Sequence, residues 1–375
     1  MIFFRLRSQT RRLIEMLAVT GEFPVSSLYL FGSQRTMREL VSRMTETQQY
    51  RNTETGETVT CRLLTLSGKG QNKAVRLLKS GFQILDWFGA REYYEAIWRE
   101  HNLPSDVSHR EPRFRCAEAS VMLILAGVEI RPWWKPPLQT SLGGPLLPEW
   151  ASFYSSRELK NLWDGEAKKI QYVRMSGLVL SRYGGMAVYN TRDAVMKWSG
   201  EGEYKAYLSM STLAHINTRA DSVESAILFG RSEEVALRTI ETFRKSRRYD
   251  LRFNSTYRYI YFVPLCENGI AQLRLLLLPD WNERLLQAMF APSQRSNNMG
   301  SFEYDGIVDG VYVFEFFDGD IARLEHFRQG IEDRDVQCRV CCFPFQVSLV
   351  KSVLGDRVEI DTYEPKTVME ALGAE

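Results

Sequence analysis

Ser33-Gln34-Arg35-Thr36-Met37-Arg38-Glu39-Leu40-Val41-Ser42-Arg43-Met44 is the stretch whose reading decides the fold of the N-terminal part. Met37, Leu40, Val41 and Met44 follow the i, i+3, i+4, i+7 spacing of one helix face. Arg35, Arg38 and Arg43 fall largely off that face. A helix that reads DNA needs both kinds of surface, an apolar one for its partner helices and a polar, basic one for the groove. Before it, Leu6–Val19 can form a helix with Leu13, Met16 and Leu17 on one side, and Val25–Phe31 is a second apolar segment closed by Gly32. After it, Gln49–Arg51 and Thr58–Leu66 flank the polar run Asn52–Glu57, which predicts a β-ribbon serving as a wing. Together these segments predict a winged helix-turn-helix.

Charge agrees with that reading. Residues 1–80 carry thirteen Lys or Arg against six Glu, while the whole chain of 375 residues has a net charge of only +2. The remainder is therefore mildly acidic, and a basic head on an acidic body suits a head that meets a polyanion. With 44% hydrophobic residues the chain is long enough for two or three domains. The longest apolar run, Ala119–Val128, is too short to span a bilayer, and Arg5 and Arg7 are not followed by a signal-peptide core. The expectation is a cytoplasmic protein, with no membrane partner and with reduced thiols.

Residues 68–100 are expected to continue as helix, and Arg113–Val128 to form another. A polar break at Asn102–Ser108 and the run Arg131-Pro132-Trp133-Trp134-Lys135-Pro136-Pro137 followed by Ser141–Pro145 interrupt the pattern. The domains predicted are 1–100, a winged helix with a helical extension; 101–145, a helical segment and Pro/Gly-rich linker; and 146–375. In the last of these, Gly177–Leu180 and Gly185–Tyr189 read as a hairpin. Ser225–Phe229, Tyr257–Leu265, Gln337–Phe343 and Arg357–Tyr363 read as strands. Ser232–Lys245, Asp280–Phe290, Asp320–Ile331 and Gln346–Leu354 read as helices, and Gly269–Leu278 fits a strand or a short helix. Phe302–Asp305 and Val311–Phe316 read as a hairpin over Gly306–Gly310. The fold class expected is α+β to α/β: a winged helix-turn-helix followed by a C-terminal mixed-sheet α/β domain.

Few residues point to catalysis. Asp305 and Asp309 precede Glu315, and Asp318 and Asp320 follow; acids on paired strands are how metal-dependent nucleases hold Mg²⁺. The lysine such sites place two residues after the strand acid is missing, because Glu315 is followed by Phe316 and Phe317. Turn and capping acids are the preferred reading, with Asp305, Glu315 and Mg²⁺ kept as the enzymatic alternative. Cys338-x-x-Cys341-Cys342 lacks a second ligand pair and reads as buried small hydrophobes, Cys338 and Cys342 on one strand face and Cys341 on the other. The four histidines show no HExxH or HxH spacing, and Ser67-Gly68-Lys69-Gly70 is not a P-loop. Trp133-Trp134 reads as a pair pinning a linker.

Leu17-Ala18-Val19-Thr20-Gly21-Glu22-Phe23-Pro24, Leu28–Gly32, the arginine-bearing helix, and Leu63-Leu64-Thr65-Leu66-Ser67-Gly68-Lys69-Gly70 before an α/β half resemble the replication-relaxation family of plasmids, phages and integrative conjugative elements of Gram-positive bacteria. The resemblance implies DNA binding by the winged helix and a nuclease-like C-terminal fold that need not be active. The leading expectation is a non-enzymatic double-stranded DNA-binding protein of a mobile element, partnered by a second copy or another protein of that element. Arg35, Thr36, Arg38 and Ser42, with Arg43 beside them, are expected at the major groove. Arg7, Arg11, Arg51, Lys69 and Lys73 are expected on phosphates. Two alternatives stand beside it, the metal-dependent nuclease and a transcription regulator whose α/β half binds a ligand or partner.

Overall fold

A computed structural model describes residues 1–101, 110–130, 151–160, 162, 174–196, 201–245, 256–296, 302–332 and 334–374. The break at Asn102–Ser108, the Pro/Gly-rich linker and Trp133-Trp134 lie outside the described residues. The architecture is mixed α+β, and the described residues form one five-stranded sheet, one four-stranded sheet and two three-stranded sheets.

The N-terminal part runs β1 (Ile2–Phe4), α1 (Gln9–Thr20), β2 (Glu22–Pro24), a 3-10 segment (Val25–Phe31), α2 (Gln34–Met44), β3 (Gln48–Asn52), β4 (Thr58–Cys61), β5 (Leu64–Ser67) and β6 (Ala74–Leu77). Ser8 caps α1 by accepting from the Arg11 N–H, and Gly21, at φ 74°, ends it by donating to the Leu17 carbonyl. Leu13, Ile14, Leu17, Met37, Val41 and Met44 are buried in one core, so the apolar faces read from spacing are the ones that pack.

Two expectations about this part fail. The ribbon flanking Asn52–Glu57 forms as β3 and β4, but it stops at Cys61 and joins β1 in a sheet of its own, in the order β1-β3-β4. Leu64–Ser67 leaves that ribbon because Leu63 and Leu64 are both buried, and adjacent inward residues break the alternation one strand requires. Residues 68–100 are not continuous helix. Ala74–Leu77 is a strand lying between β2 and β5, in the order β2-β6-β5. Lys73, Arg76 and Lys79 have helical spacing, but pairing with distant Glu22–Pro24 wins.

Next come α3 (Phe82–Asp86), α4 (Arg91–His101) and α5 (Arg110–Ala126). The central sheet is formed by β7 (Ser152–Ser155), β8 (Met175–Ser181), β9 (Gly184–Arg192), β10 (Ser225–Gly230) and β11 (Tyr259–Pro264), in the order β11-β10-β9-β8-β7. β7, β8 and β9 are antiparallel neighbours, while β9, β10 and β11 run parallel. Threaded between these strands are α6 (Ser156–Lys160), α7 (Glu201–Asn217) and α8 (Glu233–Lys245). Both faces of the sheet are covered, which is why its strands read as apolar runs. Val179, Val188, Ile227 and Phe229 face a core shared with α5 and the N-terminal part. Leu178, Ala187, Ala226 and Leu228 face a core shared with α7 and α8.

The chain continues through α9 (Glu267–Leu276) and α10 (Trp281–Met289) to β12 (Gly306–Val308), β13 (Val311–Glu315), α11 (Ile321–Glu332), β14 (Cys338–Cys342), α12 (Val347–Leu354), β15 (Glu359–Thr362) and α13 (Pro365–Ala371). Gly269–Leu278, left open between strand and helix, is thus α9. Strand β12 starts at Gly306, not at Phe302: Asp309 and Gly310 both have positive φ, 52° and 83°, and make a two-residue turn between Val308 and Val311. Strands β13, β14 and β15 are parallel. Cys338 and Cys342 enter one core and Cys341 the opposite one, as strand alternation predicts. No helix among the described residues is long and apolar enough to cross a membrane.

Candidate nucleic-acid interface and its buried supports

Helix α2 turns the expected residues outward. Arg35, Thr36, Arg38, Ser42 and Arg43 are all exposed, while Met37, Val41 and Met44 are buried and Leu40 is half-buried. Arg35 pairs with Glu39 at 3.1 Å, but with side chains 90% and 65% exposed this pair is readily exchanged for another partner. Arg38 and Arg43 have no ion-pair partner among the described residues.

The β5–β6 hairpin, not the β3–β4 ribbon, is held against α2. The Val25 N–H donates to the Lys73 carbonyl at 2.9 Å, and the Gln34 side-chain amide donates to the Val25 carbonyl at 2.9 Å. Lys69 and Lys73 are exposed on the hairpin tip, where Gly68 and Gly70 adopt φ of 80° and 56°. Arg7 and Arg51 are exposed as well. Arg11 is not free: it is held by Glu15 at 2.8 Å and Glu54 at 3.2 Å, and lies over the Phe88 ring.

Behind this surface, α5 is fastened by two buried carboxylates that the sequence reading passed over. Glu22 of β2 is paired with Arg113 of α5 and with Arg76 of β6. Arg110 of α5 reaches the hairpin tip, donating to the Asn72 carbonyl at 3.0 Å and to Ser67 Oγ at 2.9 Å. Eight residues beyond Arg110, Glu118 accepts from Arg192 Nε at 2.8 Å and Nη2 at 2.7 Å, from Asn190 Nδ2 at 3.0 Å, and from Ser27 of the 3-10 segment. Arg231, after β10, lies 3.4 Å from it. Burial raises the Glu118 pKa, but the hydrogen bonds and charges of Arg192, Ser27 and Arg231 outweigh it and hold the carboxyl below its ordinary value. The only sequence signal for either site was a lone acid beside buried apolar positions, here Phe23 and Ala117.

The acids of the C-terminal hairpin do converge, but on an arginine. Arg323 of α11 lies 2.6 Å from Asp305, 3.5 Å from Glu315 and 3.6 Å from Asp318, and its guanidinium sits over the Phe314 ring. Asp305 accepts from the Glu315 N–H at 2.7 Å, and Glu315 from the Phe317 N–H at 2.7 Å. Asp320 caps α11 by accepting from the Ala322 N–H at 2.9 Å and also binds the Ile260 N–H of the central sheet. One guanidinium cannot neutralise so many carboxylates out of water. Burial therefore pushes Glu315 up to about 7 and Asp320 up to about 6 despite Arg323, and Asp318 well above the usual range. The capping role expected of Asp320 is present. No group of three or more metal-ligating side chains with room for an ion occurs among the described residues.

Comparison with protein-family models, curated proteins and solved structures finds no match to this chain.

Proposed function

We propose that this protein is a non-enzymatic, sequence-reading double-stranded DNA-binding protein of a mobile genetic element, acting in its replication, relaxation or transfer. The N-terminal part is a winged helix in this reading: α1, β2, the 3-10 segment, α2, β5 and β6 are its elements, and β3–β4 is an insertion. The observation that carries the proposal is the exposed Arg35-Thr36-Arg38-Ser42-Arg43 face of α2 beside a hairpin tip carrying Lys69 and Lys73. Arginine can bind guanine O6 and N7 in a bidentate manner, worth about 1–3 kcal/mol of discrimination per pair. Lysines on the tip would hold phosphates and set register.

The body supports a non-cleaving role. The β8–β9 hairpin packs on α5, and β9 ends Asn190-Thr191-Arg192. This is the acid-x-lysine spacing of metal-dependent nucleases, with an amide at the acid position and an arginine at the lysine position. A guanidinium stays protonated and is no base, and Arg192 is moreover tied to Glu118 and to Glu111.

Selection of bound fragments from random-sequence duplex DNA, with and without Mg²⁺, tests the reading. An enriched motif on intact DNA is expected, and the double variant Arg35→Glu/Arg38→Glu should lose it in a gel-shift assay. Both side chains are exposed, so the fold should survive the change. Unchanged binding by the double variant refutes the assignment of α2, and Mg²⁺-dependent cutting lost in Glu315→Gln would establish the nuclease instead.

A further inference from the structure

A second basic feature lies in the body, away from the α2 face. Between α5, α6 and the start of β8 is a cavity of about 290 Å³, whose wall carries Arg113, Arg115, Arg157, Lys160 and Arg174. None of the described residues lining it is acidic. Three of these cations are answered from behind: Arg113 by Glu22, Arg115 by Glu111 at 3.2 Å and Arg174 by Glu203 at 3.8 Å. Arg157 is not; it is half-buried and has no ion-pair partner among the described residues. Burial, with the neighbouring Arg113 charge, pulls its pKa down and outweighs what Cys116 and Glu22 return.

A half-buried guanidinium without an ion-pair partner among the described residues, in a cavity wall whose other described charges are all positive, is costly unless an anion completes it. That ligand must be anionic and present several acceptors to a planar fork. A phosphate group does both. The volume lies near the lower end of small-molecule pockets, about 300–1,000 Å³, enough for a phosphate with its attached sugar but not for a duplex. We propose that this cavity binds a phosphate monoester, either a free nucleotide or the phosphorylated end of a nucleic-acid strand. Arg157 makes the direct contact, Lys160 closes the open side, and Arg113, Arg115 and Arg174 supply the surrounding positive potential. The site does not depend on duplex reading by α2.

Isothermal titration of the full chain tests this with four probes: inorganic phosphate, AMP, and a tetranucleotide with either a 5′-phosphate or a 5′-hydroxyl end. Phosphate and AMP should bind, and the two tetranucleotides should differ only if strand ends are the natural ligand. Arg157→Met should weaken AMP binding by about tenfold or more, the loss of a charge-assisted hydrogen-bond pair, and Arg157→Lys should recover part of it. Lys160→Ala, at an exposed position of the same wall, should weaken AMP binding severalfold and serves if Arg157→Met does not fold. Absence of binding by both phosphate and AMP to the wild-type chain overturns the proposal. So does AMP affinity unchanged in Arg157→Met, or in Lys160→Ala where that variant is the one measured.

Discussion

Replacing Glu118 by Gln should destabilise the whole molecule, because this carboxylate joins the N-terminal part, α5 and the central sheet. It is fully buried and accepts from Arg192 twice, from Asn190 and from Ser27. A glutamine has one acceptor oxygen and one donor group, so at least one of these donors meets another donor. Arg192, with its side chain 7% exposed, loses its buried counter-charge. Breaking such a pair costs about 3–5 kcal/mol. Glu111 remains 2.8 Å from Arg192, but its side chain is 42% exposed, so solvent screens what it returns. The expected loss is about 3 kcal/mol, the lower end of that range. Urea unfolding at neutral pH should show it as a drop in midpoint of about 1 M or more with an unchanged slope. Adding Arg192→Met should cost much less than it does alone, since the orphaned charge is then gone. A Glu118→Gln midpoint within experimental scatter of wild type would refute the claim that this cluster fastens the two parts together.

Stability should also depend on pH in a way that separates the two carboxylate clusters. Glu315 and Asp320, raised to about 7 and about 6, keep more protons folded than unfolded, so stability should fall as pH rises from about 4 to about 7; Glu315→Gln should flatten that decline in thermal melts. Glu118, held below its ordinary value, acts oppositely: its contribution is present above the unfolded value and is lost as pH falls through the folded one, so an acid limb should disappear in Glu118→Gln. At the hairpin tip, Gly68 has φ 80° and an added Cβ would lie 2.2 Å from the Asn72 carbonyl. Gly68→Ala should therefore cost about 1–3 kcal/mol of local strain and weaken duplex binding without loss of α2, as read by circular dichroism and gel shift.

What the sequence by itself determined is whatever depends on neighbours along the chain. The two faces of α2 follow from side-chain spacing on one helix, and they pack as read. The β8–β9 hairpin, the β10 and β11 strands and the opposed cysteines of β14 follow in the same way, from apolar runs, turn residues and period-two alternation. What only the tertiary structure decided is which distant segments meet. β6 looks helical until it pairs with β2, about fifty residues upstream, and its pairing with β5 makes Gly68–Lys73 the tip of a hairpin. Glu22 and Glu118 are ordinary acids in sequence, and they become fastenings because burial removes water and leaves arginines as their partners. Arg323 likewise had no local signal, yet it fills the space among the hairpin acids. The cavity around Arg157 is assembled from α5, α6 and β8, three segments whose charges no linear window brings together. Electrostatic pairing acts through space and is set by burial, so it emerges only once packing has placed the backbone.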